Sequence, residues 1–315
     1  MRNVVGTYLV FALATGLVMG IALVVVAALV YVTVTYSAWL VERKEAAVVP
    51  RRLGAAEIVR LNATAISEFW CAFVLFLLHP LGWVDPPPIK TREIQRGKRP
   101  ILLVHGYLQT RSNFVLLGPR LLAAGLGPVY TINLRPWNAG LVPQARIVSD
   151  YIDEILRATR CRDIDVVAHS MGGLIARIAD PPRPGVARRR RIRRLVTLGT
   201  PHGGTKLAHV TPGDAARDML DGSPVLRALP TPAPGMIVAI SSEHDAVILP
   251  PEHARIGPCG RDVIVSHVGH FSLLLDANVA DEVLKALAED IQTTADLLAP
   301  MLEEARAGAH VPARI

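Results

Sequence analysis

Ile164-Asp165-Val166-Val167-Ala168-His169-Ser170-Met171-Gly172-Gly173-Leu174 decides how this sequence is read. An apolar run of strand length ends in a serine, and an apolar helical pattern starts on its far side. A chain that passes from strand to helix across one serine must turn sharply. Small residues two before and two after it let the elements approach without side-chain collision. Ala168 and Gly172 hold those positions. The pattern predicts a nucleophile elbow, with Ser170 exposed on a strained turn.

Around this stretch, short apolar runs alternate with helical patterns. Ile101–His105, Val129–Leu134, Ile164–Ala168, Leu195–Leu198, Met236–Ile240 and Val263–Val265 read as buried strands. Phe114–Ala124, Gln144–Arg157, Met171–Ile178 and Val279–Leu297 read as helices. Such alternation predicts an α/β domain with a mainly parallel sheet covered on both faces. There is no internal repeat.

A serine that attacks an acyl carbon needs a base to take its proton and a carboxylate to orient that base. Where the serine sits on such an elbow, the chain order is serine, acid, histidine. Ser241-Ser242-Glu243-His244-Asp245 follows the fifth strand, which makes Asp245 the candidate acid and Glu243 its substitute. Ser266-His267-Val268-Gly269-His270-Phe271 follows the last strand, with His270 the preferred base and His267 the fallback. The oxyanion calls for backbone N–H donors. Met171, at a helix N-terminus, offers one, and Tyr107 in the turn His105-Gly106-Tyr107 offers the second. His105 and His169 read as structural.

At these residues the chain resembles the bacterial triacylglycerol lipase and esterase branch of the α/β-hydrolase superfamily. The matching pieces are Leu103-Val104-His105-Gly106-Tyr107, the Ala168–Gly173 elbow, and Leu198-Gly199-Thr200-Pro201-His202-Gly203-Gly204-Thr205 after the next strand. Asp245 and His270 complete the set, and together the pieces span most of the chain beyond residue 100. The resemblance implies an α/β-hydrolase fold and hydrolysis of carboxylic esters through an acyl-enzyme, with no cofactor and no metal. A thioesterase, an acyltransferase or a phospholipase would share the same three residues. A membrane adaptor on a hydrolase fold is the non-enzymatic alternative. The residues from 201 to 234 stand where related lipases carry a lid, and their Leu, Met, Pro and Gly content fits a mobile apolar cover, with a rigid loop packed on the sheet as the equal alternative.

The N-terminal region departs from that resemblance. Hydrophobic residues make up 51% of the 315 and charged ones only 19%, and the mean hydropathy is +0.34. That is greasier than most soluble enzymes. Val4 to Leu40 contains no Asp, Glu, Lys or Arg, longer than the roughly 20 residues a spanning helix needs. The run is also too long for a cleavable signal peptide. We expect a single crossing, with a hairpin at Gly16 or Gly20 as the alternative. A second apolar run, Phe69–Trp83, has interfacial length, and Glu68 and His79 limit its depth. It either lies at the interface or packs on the catalytic domain. The domain expectations are therefore a membrane anchor over 1–84, a linker over 85–100 and a hydrolase domain over 101–315.

Net charge is +7, with basic residues flanking both apolar runs. Positive flanks favour the cytoplasm, which predicts a membrane-anchored protein of a bacterial inner membrane with a cytoplasmic catalytic domain. Two crossings would reverse that orientation. The three cysteines lack metal-type spacing and an even count, so neither a disulfide framework nor a zinc site is implied. Six arginines between Arg188 and Arg194 read as a solvated basic loop or as a contact for anionic headgroups. No aromatic platform accompanies them to suggest nucleic acid. Because the linker and this run enter strands at the same sheet edge, that edge is expected to face the membrane, with the active site opening away. The expected partners are an acyl ester or lipid substrate and membrane lipid.

Overall fold

The computed structural model describes residues 2–45, 54–85, 98–181, 190–233 and 235–289, with side chains in the first helix described from Leu13 to Lys44. Arg188, Arg189, Pro234, most of the expected linker, and the end of the helix expected to run to Leu297 lie outside the described residues.

Six strands form one parallel sheet in the order β2-β1-β3-β4-β5-β6. They are β1 (Ile101–Val104), β2 (Val129–Ile132), β3 (Ile164–His169), β4 (Ile192–Leu198), β5 (Ile237–Ser242) and β6 (Arg261–Val265). β1 and β3 are buried at every residue, as strands covered on both faces must be. Helices α4 (Leu141–Thr159) and α5 (Met171–Ala179) cover one face, where Val148, Ile152 and Ile155 meet Leu102, Val104 and Val166. Helices α3 (Leu117–Ala123) and α8 (Ala277–Ala288) cover the other, where Leu121, Val283 and Leu287 meet Leu103, Val167 and Val238. The segment after β4 carries two short helices, α6 (Asp214–Asp218) and α7 (Pro224–Arg227).

Two further helices precede the sheet. α1 (Arg2–Glu45) is one unbroken helix of 44 residues that passes through both Gly16 and Gly20; at 1.5 Å per residue it is about 66 Å long. α2 (Ala55–Leu78) continues into the 3-10 turn His79–Trp83. By length and composition, Leu13–Lys44 and Ala55–Trp83 could each cross a bilayer. The two halves of α1 behave differently. From Leu13 to Leu23 every side chain is exposed, whereas Ala28, Thr35, Trp39 and Arg43 are buried along one stripe of the second half. That stripe recurs at helical spacing and docks on α2 and on the sheet domain.

The docking corrects two expectations. The edge entered by the arginine run is not the one next to α1. α1 and α2 pack at the opposite edge, where strands end: Trp39 Nε1 donates to the carbonyl of Glu243 after β5 (3.2 Å), and the Glu68 carboxylate of α2 receives the backbone N–H of Phe271 after β6 (2.8 Å). The described arginines are also committed elsewhere. Arg191 bridges Asp153 and Asp180 (2.7 and 3.2 Å), Arg193 grips both oxygens of Asp165 (2.8 Å each), and Arg194, within β4, is fully buried. Buried charges need such partners, so these side chains are structural ties and not a headgroup-facing loop.

Candidate active site

Ser170 sits between β3 and α5 with φ +55° and ψ −131°, a left-handed conformation that a non-glycine residue holds only when its surroundings enforce it. The enforcement is visible. Ser170 N–H donates to the Leu198 carbonyl (2.8 Å), and its own carbonyl accepts from Thr200 Oγ1 (2.8 Å) and Gly173 N–H (3.1 Å). The glycines after it fill no space because none exists. A Cβ on Gly172 would lie 2.5 Å from the Val104 carbonyl oxygen, and one on Gly173 2.1 Å from Thr200 Oγ1.

Asp245 and His270 come from loops after β5 and β6, and their side chains meet. His270 Nδ1 donates to Asp245 Oδ2 (2.8 Å), with both residues buried. The other oxygen of Asp245 accepts from Val247 and Ile248 N–H (2.9 and 3.1 Å), which locks the carboxylate. Burial alone would lower the His270 pKa, yet the charge of Asp245, its hydrogen bond and the charge of Glu68 outweigh this and hold it above the ordinary value. The substitute candidates lie elsewhere. Glu243 accepts from Ser266 Oγ (2.7 Å), and His267 is exposed, with its N–H donating to His244 Nδ1 (3.0 Å).

Ser170, His270 and Tyr107 line one cavity of about 560 Å³ with mainly apolar walls. Leu207, Val210 and Met219 come from the segment after β4, and Val30, Tyr31 and Val34 come from α1. Val30, Val34, Leu108 and Val210 are exposed at its rim. The loop after β1 passes tightly against the serine: a Cβ on Gly106 would lie 2.8 Å from that of Ser170. Its shape is set from within. Gly106 N–H donates to Gln109 Oε1 (2.9 Å), His105 Nδ1 donates to the Gly106 carbonyl (2.9 Å), and His105 Nε2 accepts from Leu134 N–H (3.0 Å). Burial pushes the His105 pKa down to about 4, so it serves this frame as a neutral ring. The Tyr107 hydroxyl donates to the Pro212 carbonyl, while Met171 is buried at the N-terminus of α5.

Three elements of the site have no obvious sequence signal or only a faint one. Buried His169 lies between the loops, with Nδ1 3.0 Å from Gln109 Oε1 and Nε2 donating to the His270 carbonyl (3.0 Å). Thr205 links the segment after β4 to the acid loop, through the Val247 carbonyl and Leu249 N–H. Glu68, a lone charge in an apolar helix, is 1% exposed against the residues that follow His270. Its signal is the rule that a buried charge must find partners.

The architecture has solved counterparts at low sequence identity. Aspergillus fumigatus lipase B superposes with a TM-score of 0.52 at 16% identity, covering 62% of this chain and 53% of that one. The mature form of Bacillus licheniformis lipase BlEst2 gives 0.48 at 17%, covering 64% and 95%, and Bacillus subtilis carboxylesterase CesB gives 0.44 at 12%, covering 62% and 86%. The chain has the α/β-hydrolase fold. Residues 79–241 match the family model described as a domain of unknown function (DUF7379), and the chain belongs to that family.

Proposed function

We propose that this protein is a membrane-anchored serine carboxylic-ester hydrolase. The observation that carries the reading is the strained Ser170 opening, together with the Asp245-bound His270, into one apolar cavity. Ser170 Oγ attacks the ester carbonyl and its proton passes to His270 Nε2. Asp245 keeps the Nδ1–H tautomer and stabilises the imidazolium. The N–H groups of Met171 and Tyr107 hold the oxyanion. His270 then protonates the leaving alcohol as the C–O bond breaks. Water, deprotonated by the same ring, releases the acid from the acyl-enzyme and restores Ser170.

The substrate class follows from the walls. A cavity whose exposed wall is mainly apolar, although Thr35, Gln109, Thr205 and Thr211 also border it, suits an acyl chain. The segment after β4, which brings Leu207, Val210 and Met219 to the wall, serves as its cover. The first half of α1 crosses the bilayer; about 20 residues suffice for that, and the docked stripe begins only at Ala28. The cavity rim at Val30 and Val34 then lies where the helix leaves the hydrocarbon, and membrane lipid is the nearest source of acyl esters. Residues 1–84 act as the anchor and 85–100 as the linker, with the catalytic domain on the cytoplasmic side of a bacterial inner membrane. An acyltransferase or thioesterase using the same residues is the second reading, which the apolar cavity equally supports.

Hydrolysis of p-nitrophenyl esters of graded chain length by the full chain in detergent tests the proposal against Ser170→Ala. Turnover that Ser170→Ala abolishes, rising with acyl length, is the expected result. Ester turnover by neither protein, with fluorophosphonate labelling of Ser170 retained, would replace hydrolysis with acyl transfer.

A further inference from the structure

Glu68 lies in α2, far along the chain from every residue assigned to the reaction, yet its carboxylate accepts four hydrogen bonds beside His270. Oε1 receives the Tyr31 hydroxyl of α1 (2.6 Å) and Phe271 N–H (2.8 Å), and Oε2 receives Ser272 N–H (2.9 Å) and Ser272 Oγ (2.7 Å). Phe271 and Ser272 start the 3-10 turn Ser272–Leu274, whose first N–H groups have no partner within the turn. The residue on the other side of His270 is shaped by the same carboxylate. A Cβ on Gly269 would lie 2.2 Å from Glu68 Oε2, so only glycine fits there. His270 is thus held between a glycine that makes room for Glu68 and two residues bonded to it. Its carbonyl is fixed by His169 and its ring by Asp245. The Tyr31 ring packs edge-on against Phe271, with centroids 5.0 Å apart.

We propose that Glu68 is a positioning residue for His270, and that Tyr31 holds it in place, so that the two N-terminal helices complete the active site and do more than tether it. This rests on the reading of His270 as the general base. Glu68 acts through the backbone that carries the imidazole and does not touch substrate. It also acts through charge: the ionisable groups facing His270 are Asp245, Glu68 and His169, and the two carboxylates favour the imidazolium while His169 is neutral in its buried site.

The test is steady-state kinetics of the full chain in detergent micelles across pH, comparing Glu68→Gln, Glu68→Asp and Tyr31→Phe with the parent. Loss of acceptors and of charge in Glu68→Gln is expected to lower kcat about 10- to 100-fold with KM within about two-fold, and to move the acid limb of kcat/KM to lower pH. Glu68→Asp restores the acid limb but not the full kcat, which separates charge from placement. Tyr31→Phe removes one bond of the four, with an expected loss of about two- to five-fold in kcat. Wild-type kcat and an unmoved acid limb in folded Glu68→Gln would overturn the proposal. Should that variant not fold, the same result in Tyr31→Phe would do so. If the parent itself hydrolyses no ester, the hydrolase reading fails by that result alone. The His270 titration by ¹⁵N-histidine NMR then decides this proposal: a midpoint lowered in Glu68→Gln supports it, and an unchanged midpoint refutes it.

Discussion

At the scale of single residues, the proposed reaction depends on a proton that His270 must be free to accept. Its raised pKa means that the protonated, inactive ring persists to a higher pH than in an ordinary histidine. kcat/KM is therefore expected to rise with pH through an apparent pKa above the ordinary value of about 6.5, as a pH–rate profile will read. The same group contributes to folding in the opposite sense: stability from the ion pair with Asp245 is full below the unfolded pKa and is lost as pH rises through the folded one. Replacing Asp245 by Asn removes the charge and the tautomer control together, and kcat is expected to fall about 10³- to 10⁴-fold with the fold intact by circular dichroism. Strand ends and chain order suffice to find Ser170, Asp245 and His270 as candidates, because each follows a strand that composition marks plainly. Glu68 is different. Read along the chain it only limits the depth of an apolar segment; its partners Phe271 and Ser272 stand 203 and 204 residues away, and no local pattern encodes that meeting.

At the scale of elements, the parallel sheet was legible because its strands are buried on both faces and so form continuous apolar runs. The start of β4 was not. Ile192, Arg193 and Arg194 belong to the strand, but charges there conceal it until Asp165 is seen opposite. Arg193→Met should leave the 6%-exposed side chain of Asp165 without its bidentate partner, with a stability loss of about 3 kcal/mol measurable by thermal unfolding. Retention of the parent's midpoint would show that Arg99, 4.0 Å from Asp165, takes over. A milder effect is expected at α8, where Asp276 caps the helix by accepting from Asn278 and Val279 N–H; Asp276→Ala should cost about 1 kcal/mol. The second apolar run had two readings. Burial of Glu68, Ala72 and Leu75 favours packing on the catalytic domain, because an apolar stripe and a carboxylate with four donors are satisfied together.

At the scale of the whole molecule, the N-terminal helices and the sheet domain share a core. Ala28, Ala72 and Leu75 belong to the same apolar cluster as Leu103, Val238 and Phe271. The segment after α2 is stitched on as well: Asn133 Nδ2 donates to the Gly82 carbonyl (2.7 Å), and His79 Nε2 approaches the Leu108 carbonyl (3.2 Å). A fragment beginning at residue 98 would expose that cluster and release His270 from Glu68. It is expected to aggregate or to turn over esters at least about ten-fold more slowly than the full chain. Equal activity would reduce the helices to a tether.

Tyr31 and Glu68 leave the ribosome before Phe271 and Ser272, which stand 203 and 204 residues beyond Glu68, so the two helices must wait for the partners they will hold. In the proposed topology the nascent protein is already seated in its bilayer during that wait. On the proposed mechanism the general base is secured only after Phe271 and Ser272 have emerged, so a copy cut short before them is expected to be a silent one.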